Sequence, residues 1–331
     1  MRIALDAMGT DGAPSSEIEG ASGALLDAEA DPDLEIILVG EEDRIQEELD
    51  RRPELPRDRL SIVDAPDRIV PGEPPAQAVR RKRSSSIVVG VQLQKQGKAD
   101  AFVSAGSTGA VMAASLLFLR PLPGVDRPAI GTVLPTSGCP TLLLDAGANV
   151  DCKPHHLVQF AHLGHIYARD ILKVERPRIG LLNIGEEPEK GNELAVGAHK
   201  LLATEPGLHF VGNIEGREII RGGCDVLVAD GFDGNLILKF YESVAEFIIQ
   251  LLKRELKAHH ADELDLHEVF RFLDYAEYGG APLLGVDGVT IIMHGSSPPR
   301  AIRNALEVAG QAVRSSMVTD MARELDRGRT N

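Results

Sequence analysis

A chain of 331 residues, 43% apolar and 26% charged, is long enough to bury a substantial core as one large domain or two smaller ones. A formal net charge of −15 argues against a general nucleic-acid binder, which needs a basic surface to meet phosphate backbones. Three scattered cysteines, Cys139, Cys152 and Cys224, argue against a disulfide framework and fit a reducing compartment.

The N-terminus enters directly on Arg2-Ile3-Ala4-Leu5-Asp6, without the basic head and apolar stretch of a secretory leader. The most conspicuous apolar segment, Ala110 to Leu119, is too short for a bilayer, which takes roughly 20 apolar residues. The expectation is a cytoplasmic protein, at most peripheral at the inner face of the plasma membrane.

Short apolar runs predict strands at Ile3–Asp6, Glu35–Val39, Leu60–Val63, Ala101–Ser104, Ile130–Leu134, Thr141–Asp145, Ile179–Asn183, His209–Gly212, Val226–Ala229 and Thr290–Met293. Helical periodicity fills most of the gaps. Leu157, Phe160, Ala161, Gly164 and Tyr167 form one stripe, and Leu194, Gly197, Ala198, Leu201 and Leu202 another. Strands alternating with helices imply an α/β fold whose mainly parallel sheet is covered on both faces. Ligands then gather at the carboxyl ends of the strands. No repeat, low-complexity tract or linker divides the chain, so residues 1–331 are expected to form a single domain. Pro121-Leu122-Pro123-Gly124 reads as a loop. Residues 236–275 break the rhythm as two consecutive helices. On the first, Phe240, Val244, Phe247, Ile248 and Leu251 share a face, with Glu242, Glu246, Gln250, Lys253 and Lys257 opposite. Such a stripe is core, a dimer interface, or a docking surface for a partner or membrane.

Four strand-to-helix joints carry candidate chemistry. Asp6-Ala7-Met8-Gly9-Thr10-Asp11-Gly12-Ala13-Pro14 is a glycine turn after a strand-terminal aspartate. In Ser104-Ala105-Gly106-Ser107-Thr108-Gly109-Ala110, glycines allow close backbone approach and the first helical N–H groups face an anion, with three hydroxyls nearby. The alternative is a well-capped turn. In the stretch from Asn183 to Glu193, Lys190 sits among carboxylates and suits a phosphate or carbonyl oxyanion, unless the loop is merely solvated. His294-Gly295-Ser296-Ser297-Pro298-Pro299 is a second potential anion cradle, with Ser297 read as N-cap and Pro298 as first helical residue. His294 is otherwise a hydrogen-bonded structural histidine. Dinucleotide and Walker fingerprints are absent. His155, His156, His162 and His165 lack a completing ligand pattern and read as surface or capping residues rather than a metal site.

In order, these joints resemble the phosphate acyltransferase (PlsX) family of bacterial phospholipid synthesis. The matching stretches begin with Leu5-Asp6-Ala7-Met8-Gly9, Val103 to Ala110 and Leu144-Asp145-Ala146-Gly147-Ala148-Asn149. They continue with Asp151-Cys152-Lys153-Pro154, Gly180 to Glu187 and Lys190 to Leu194. The last are Asp230-Gly231-Phe232, Gly234-Asn235, Tyr278 to Gly285 and His294 to Ser297. The resemblance implies a three-layer α/β/α sandwich similar to the phosphotransacetylase and isopropylmalate dehydrogenase group. It implies a homodimer that converts acyl–acyl carrier protein and inorganic phosphate to acyl phosphate and free carrier. It also implies a protruding helical pair, a membrane glycerol-3-phosphate acyltransferase as partner, and Lys190 and Asn235 at the active site. The family's usual Gly-Gly-Asp-His is Gly9-Thr10-Asp11-Gly12 here, so no catalytic base is assigned to it. Position 107, often asparagine in the family, is Ser107.

The expected mechanism is direct attack of phosphate on the thioester, with no covalent intermediate, metal or cofactor. Asp6, Gly9, Ser104, Gly106, Ser107, Thr108, Gly109, Asn183, His294, Gly295, Ser296 and Ser297 are the candidate phosphate- and substrate-binding residues. Lys190 would hold an oxyanion and Asn235 would orient the thioester. Arg80, Arg81, Lys82 and Arg83, or Lys253, Arg254 and Lys257, are candidates to receive the acidic carrier. Three other readings compete: a hydrolase using Ser107 in a near match to G-x-S-x-G, a dehydrogenase on the related fold, and a non-enzymatic adaptor.

Overall fold

Apolar runs bounded by glycine, proline and aspartate form the strands of a computed structural model that describes residues 1–27, 31–258 and 275–327. Eleven strands are seen among the described residues: β1 (Arg2–Asp6), β2 (Glu35–Gly40), β3 (Leu60–Asp64), β4 (Ala101–Ser104), β5 (Ala129–Leu134), β6 (Thr141–Leu144), β7 (Arg178–Leu182), β8 (His209–Ile214), β9 (Val226–Val228), β10 (Ala281–Leu284) and β11 (Val289–Ile292). They make one sheet in the order β3-β2-β1-β4-β11-β10-β5-β6-β9-β7-β8. Pairing is parallel within β3-β2-β1-β4-β11 and within β6-β9-β7-β8. The three central pairings, β11–β10, β10–β5 and β5–β6, are antiparallel.

Most strands are buried on both faces, which explains their near-continuous apolar character. Alternate residues enter two cores. Ile3, Leu5, Leu38, Val103, Leu144 and Val228 face one. Ala4, Ile37, Val39, Phe102, Leu143 and Leu227 face the other. The first core is covered by α1 (Ser15–Leu26), α2 (Glu42–Asp50), α6 (Pro154–Asp170), α7 (Glu193–Leu202), α10 (Pro299–Arg314) and α11 (Met317–Arg327). The second is covered by α3 (Pro75–Arg81), α4 (Ser86–Lys95), α5 (Thr108–Phe118), the four-residue α8 (Gly216–Ile219) and the early part of α9 (Gly231–Ala258). The result is an α/β/α sandwich.

The sequence places ten strands within about two residues of the observed ends. It misses β10, a four-residue run containing Pro282 and preceded by Gly279-Gly280. Proline cannot donate to a ladder, so such a run reads as a loop. Here Ala281 and Pro282 pair with β11 while Leu283 and Leu284 pair with β5, so each neighbour takes only two residues. The start of α10 also differs from expectation. Pro298 is the N-cap and Pro299 the first helical residue, one position later than Ser297 and Pro298.

Of the expected helical pair, α9 is the first member. Tyr241 Oη donates to the Pro135 carbonyl at 2.7 Å and Ala245 is buried, so this helix is tied to the body midway. The second member, residues 259–274, lies outside the described residues. Phe240, Phe247, Ile248 and Leu251 of the apolar stripe are exposed in the single chain. No described helix is long and apolar enough to cross a membrane.

Gly90 of α4 faces the buried Phe102 ring, and a Cβ there would overlap Cε2 and Cδ2. Glycine-to-alanine inside a helix normally gains about 0.5–1 kcal/mol. Gly90→Ala is expected to reverse that sign and cost about 1–3 kcal/mol through overpacking. Urea unfolding of the two proteins measures it, and a stabilised variant would show that the α4–β4 contact yields.

Candidate active site

Among the described residues, three cavities open at the loops that follow the strands. The first, about 210 Å³, is lined by Asp6, Gly9, Asp11, Arg68, Gly106, Ser107, Thr108, His294 and Gly295 among others. The central one, about 310 Å³, takes Thr108, Met293 and His294 from the same wall and adds Ile130, Thr132, Gly147, Asn235, Ala281 and Ser297. The third, about 470 Å³, lies on the other side of α9 and is largely apolar, with Asn183, Asn192, Asp230 and Asp233 at its polar positions.

The first cavity is built by two loops in backbone contact. A Cβ on Gly9 would lie 2.8 Å from the backbone nitrogens of Ala105 and Gly106, so Gly9 serves the approach of the loops to each other. Beneath them Ser104 Oγ donates to Asp6 Oδ2 at 2.7 Å and accepts from Gly106 N–H at 3.0 Å. Asp6 Oδ1 accepts from Met8 N–H. Burial pushes the Asp6 carboxyl up, opposed by the Ser104 and Ser86 hydroxyls. Behind the β1–α1 loop Glu17 is buried. Its Oε1 accepts from Thr10 N–H at 2.7 Å while Oε2 has no hydrogen-bond partner among the described residues. Burial pushes this carboxyl up to about 7.

The wall opposite is organised by Asp145. Its carboxylate accepts N–H bonds from Ile130, Gly147, Ala148 and Asn149 and from the Asn149 side chain, at 2.7–3.2 Å. Burial pushes Asp145 up, and the bonds from Ala148, Ile130 and Asn149 oppose it. The first turn of α9 seats directly on this loop. A Cβ on Gly231 would lie 2.7 Å from Asn149 N, and one on Gly234 would overlap the Asp145 carbonyl oxygen. Asp230 Oδ1 accepts from Phe232 and Asp233 N–H and caps the helix. Two glycines and one cap thus fix the next residue, Asn235, over Gly147, whose φ of 134° no ordinary side chain favours.

The sequence candidates divide accordingly. Asp6, Gly9, Gly106, Ser107, Thr108, His294 and Gly295 meet at the first cavity, and Thr108, His294, Ser297 and Asn235 at the central one. Asn183 reaches the third cavity, but its amide staples its own loop. Nδ2 donates to the Lys190 carbonyl and Oδ1 accepts from Ile184 N–H. Ser104, Gly109, Ser296 and Lys190 line none of the three. Ser104 is fully buried under the cradle, Gly109 faces Pro75, and Ser296 hydrogen-bonds His294 Nδ1 at 2.8 Å. Lys190 is exposed, with its stem over Gly185, and does not share a cavity with Asn235. Among the described residues no hydrogen bond joins Ser107 to a histidine.

Asp126, His155 and His156 bring potential metal ligands within 4.8 Å of one another. His156 Nδ1, however, accepts the Lys153 N–H at 3.0 Å and caps α6. The ring's one neutral lone pair is thereby used, and Nε2 carries the proton. His162 pairs with Glu205 at 2.9 Å. His156 thus caps its helix and His162 is paired with an acid. Sequence reasoning missed Asp145, Arg68, Glu17 and Lys239 as site-building residues. Lys239 had a usable signal, since it lies one helical turn after Asn235.

A family model described as "Fatty acid synthesis protein" matches residues 1–320. The phosphate acyltransferase of Heliobacterium modesticaldum is 51% identical over 325 residues, 96% of each chain. That of Desulfitobacterium hafniense strain Y51 is 51% identical over 335 residues, covering 99% of this chain and 98% of its own. The chain belongs to the phosphate acyltransferase family. Membership places it among enzymes, and among acyltransferases of fatty acid and phospholipid synthesis. In fold it is similar to a phosphotransacetylase from Streptococcus pyogenes, with a TM-score of 0.62 at 17% identity over 95% of this chain and 94% of that one. A 4-hydroxythreonine-4-phosphate dehydrogenase from Klebsiella pneumoniae gives 0.57 at 14% identity, covering 94% and 98%.

The Glu17 carboxyl makes a pH prediction. Below about pH 4.5 it is protonated in folded and unfolded chains alike. Above about pH 7 it is ionised in both, and only the folded state bears the cost of burial. Its contribution is therefore present at low pH and lost as pH rises through about 7, by something on the order of 3 kcal/mol. Glu17→Gln keeps the acceptor for Thr10 N–H and removes the titration. The difference in unfolding free energy between the two proteins should grow from pH 4.5 to 7.5, and a constant difference would exclude a buried, titrating Glu17.

Proposed function

We propose that this chain transfers the acyl group of an acyl–acyl carrier protein thioester to inorganic phosphate. The observation that carries this reading is the convergence of Thr108, His294, Ser297 and Asn235 on one cavity from three separate elements. Thr108 opens α5, so unpaired helical N–H groups stand beside its hydroxyl. Ser297 precedes α10 in the same manner.

Hydrogen phosphate attacks the thioester carbonyl through an anionic oxygen. The new C–O bond forms as negative charge builds on the carbonyl oxygen, and the C–S bond then breaks. Acyl phosphate leaves with two negative charges, and the proton originally on phosphate ends on the carrier thiol. The thiol is a good leaving group, so positioning and oxyanion stabilisation supply the rate gain. Asn235 is assigned to the thioester carbonyl. The role of Lys190 rests on its place among carboxylates at a strand end and on the family resemblance. The cavity supports Asn235 and gives Lys190 no contact with it.

A second copy of the chain covers the exposed apolar residues of α9, which include Phe232 and Leu236 as well as Phe240 and Phe247. In the Arg80–Arg83 patch, Lys82 is paired with Glu73 and Arg83 lies over the Phe118 ring, so Arg80 and Arg81 are the residues assigned to the acidic carrier. The side chain of Lys257, in the other patch, lies outside the described residues. Delivery of acyl phosphate to a membrane glycerol-3-phosphate acyltransferase, with peripheral attachment at the inner membrane face, completes the proposal.

The test is thiol release from palmitoyl–acyl carrier protein by the purified protein. Release that requires phosphate and yields acyl phosphate is expected. Release without phosphate would instead indicate a hydrolase, with Ser107 as the suspect nucleophile. Asn235→Ala should lower turnover by about 10²–10³-fold, the usual loss for an oxyanion donor. Lys190→Ala should also lower it sharply if the resemblance carries over. A folded Lys190→Ala protein with near-normal turnover would remove that residue from the mechanism.

A further inference from the structure

We infer that Lys239 is the cation that holds inorganic phosphate in the central cavity. The inference rests on the acyl-transfer reading and assigns its anion site. Asn235, Leu238, Lys239 and Glu242 all line that cavity. Their spacing puts them on one face of α9, with Lys239 one turn beyond Asn235. Among the described residues lining the cavity, Lys239 is the only lysine or arginine. No described carboxylate lies within ion-pair distance of it, although Glu242 faces the same space. Its backbone carbonyl accepts from Ser243 Oγ, and no hydrogen bond joins its ammonium to another of the described residues.

Phosphate requires such a charge. A dianion entering a partly enclosed space beside the Glu242 carboxylate meets repulsion and loses hydration. Hydroxyls and helical N–H groups from Thr108 and Ser297 supply directional bonds but no net positive charge. The neighbouring cavity has its own cation, Arg68, whose Nη2 already donates to the Thr10 carbonyl at 3.1 Å. Lys190 lines neither cavity. A flexible ammonium with three donors is the group suited to reach a phosphate that changes geometry as it becomes an acyl phosphate. Placed one turn from Asn235, it sets nucleophile and thioester carbonyl side by side.

The test uses the whole protein in two assays. One measures acyl phosphate formation as a function of phosphate concentration. The other measures the rise in melting temperature caused by inorganic phosphate, with chloride at equal ionic strength as control. Lys239→Gln should raise the KM for phosphate by 10- to 100-fold, with a smaller change in kcat, and abolish the phosphate-induced rise. Lys239→Arg should restore part of both. Lys239 is exposed on a helix, so both variants are expected to fold, which circular dichroism checks. A KM and a thermal rise within twofold of wild type in Lys239→Gln would overturn the assignment. So would loss of kcat alone, which would move Lys239 to the carbonyl oxyanion. Loss of the thermal rise in Arg68→Gln but not in Lys239→Gln would move phosphate to the adjoining cavity. If the wild type made no acyl phosphate, the reaction proposed above would fail, while the thermal assay would still report on Lys239.

Discussion

The direction of the sheet reverses at its centre, where β11, β10, β5 and β6 run antiparallel to one another, and the position of the site follows from that reversal. In a wholly parallel sheet the loops after the strands gather along one edge. Here the strands of the two halves point oppositely. The carboxyl end of β11 lies beside the start of β10, and the carboxyl end of β6 lies beside the start of β5. β10 is short and divides its pairing between two neighbours, so the loop after β11 and the loop after β6 open onto one space. Ile130 and Thr132 of β5 and Ala281 of β10 line it between them.

Each half supplies its wall through a buried aspartate. Asp6 is the last residue of β1 and, through Ser104, ties the β1 loop to the β4 loop. Asp145 follows β6 and gathers four backbone N–H groups and one side-chain amide. A buried carboxylate is costly unless its lone pairs are met, and these two are met largely by the loops that form the site. The loops are therefore held by hydrogen bonds within the protein. Their glycines serve this packing. Gly9, Gly231 and Gly234 each stand where a backbone would collide with a Cβ, and only part of the glycine pattern lies where a ligand could approach.

Most of the fold was legible because buried parallel strands carry continuous apolar runs and amphipathic helices carry a 3.6-residue period. Pro282 hid β10, and with it the reversal that places the site. The site was legible as a set of strand-end loops and illegible as a geometry. Sequence order shows that Ser104–Gly109 and His294–Ser297 both follow strands. It does not show that Thr108 and His294 share a wall, or that Gly109 turns toward Pro75. Family resemblance supplied Asn235 and joined it to Lys190, already singled out in its loop, and the single chain brings only Asn235 to the central cavity. Lys190 belongs to a loop closed on itself by Asn183. Asp145 lies within a matching stretch, yet a residue that accepts five bonds from the surrounding loops looks in sequence like any strand-end aspartate.

The helix α9 is where the two halves meet chemically. Its cap and glycines seat it on the Asp145 loop, and Tyr241 ties it to the chain just after β5. One face, with Asn235 and Lys239, looks into the central cavity. Another, with Asp233, Leu236 and Ile237, lines the apolar third cavity. A single helix thus separates the central cavity from the apolar third one, with Asn235 and Lys239 at fixed spacing on one side. In a chain of net charge −15, an anionic nucleophile needs a local reversal of potential. On the proposed reaction, a lysine one turn from Asn235 provides it without a second element having to move, and the spacing of Asn235 and Lys239 is then tied to the chemistry as well as to the fold.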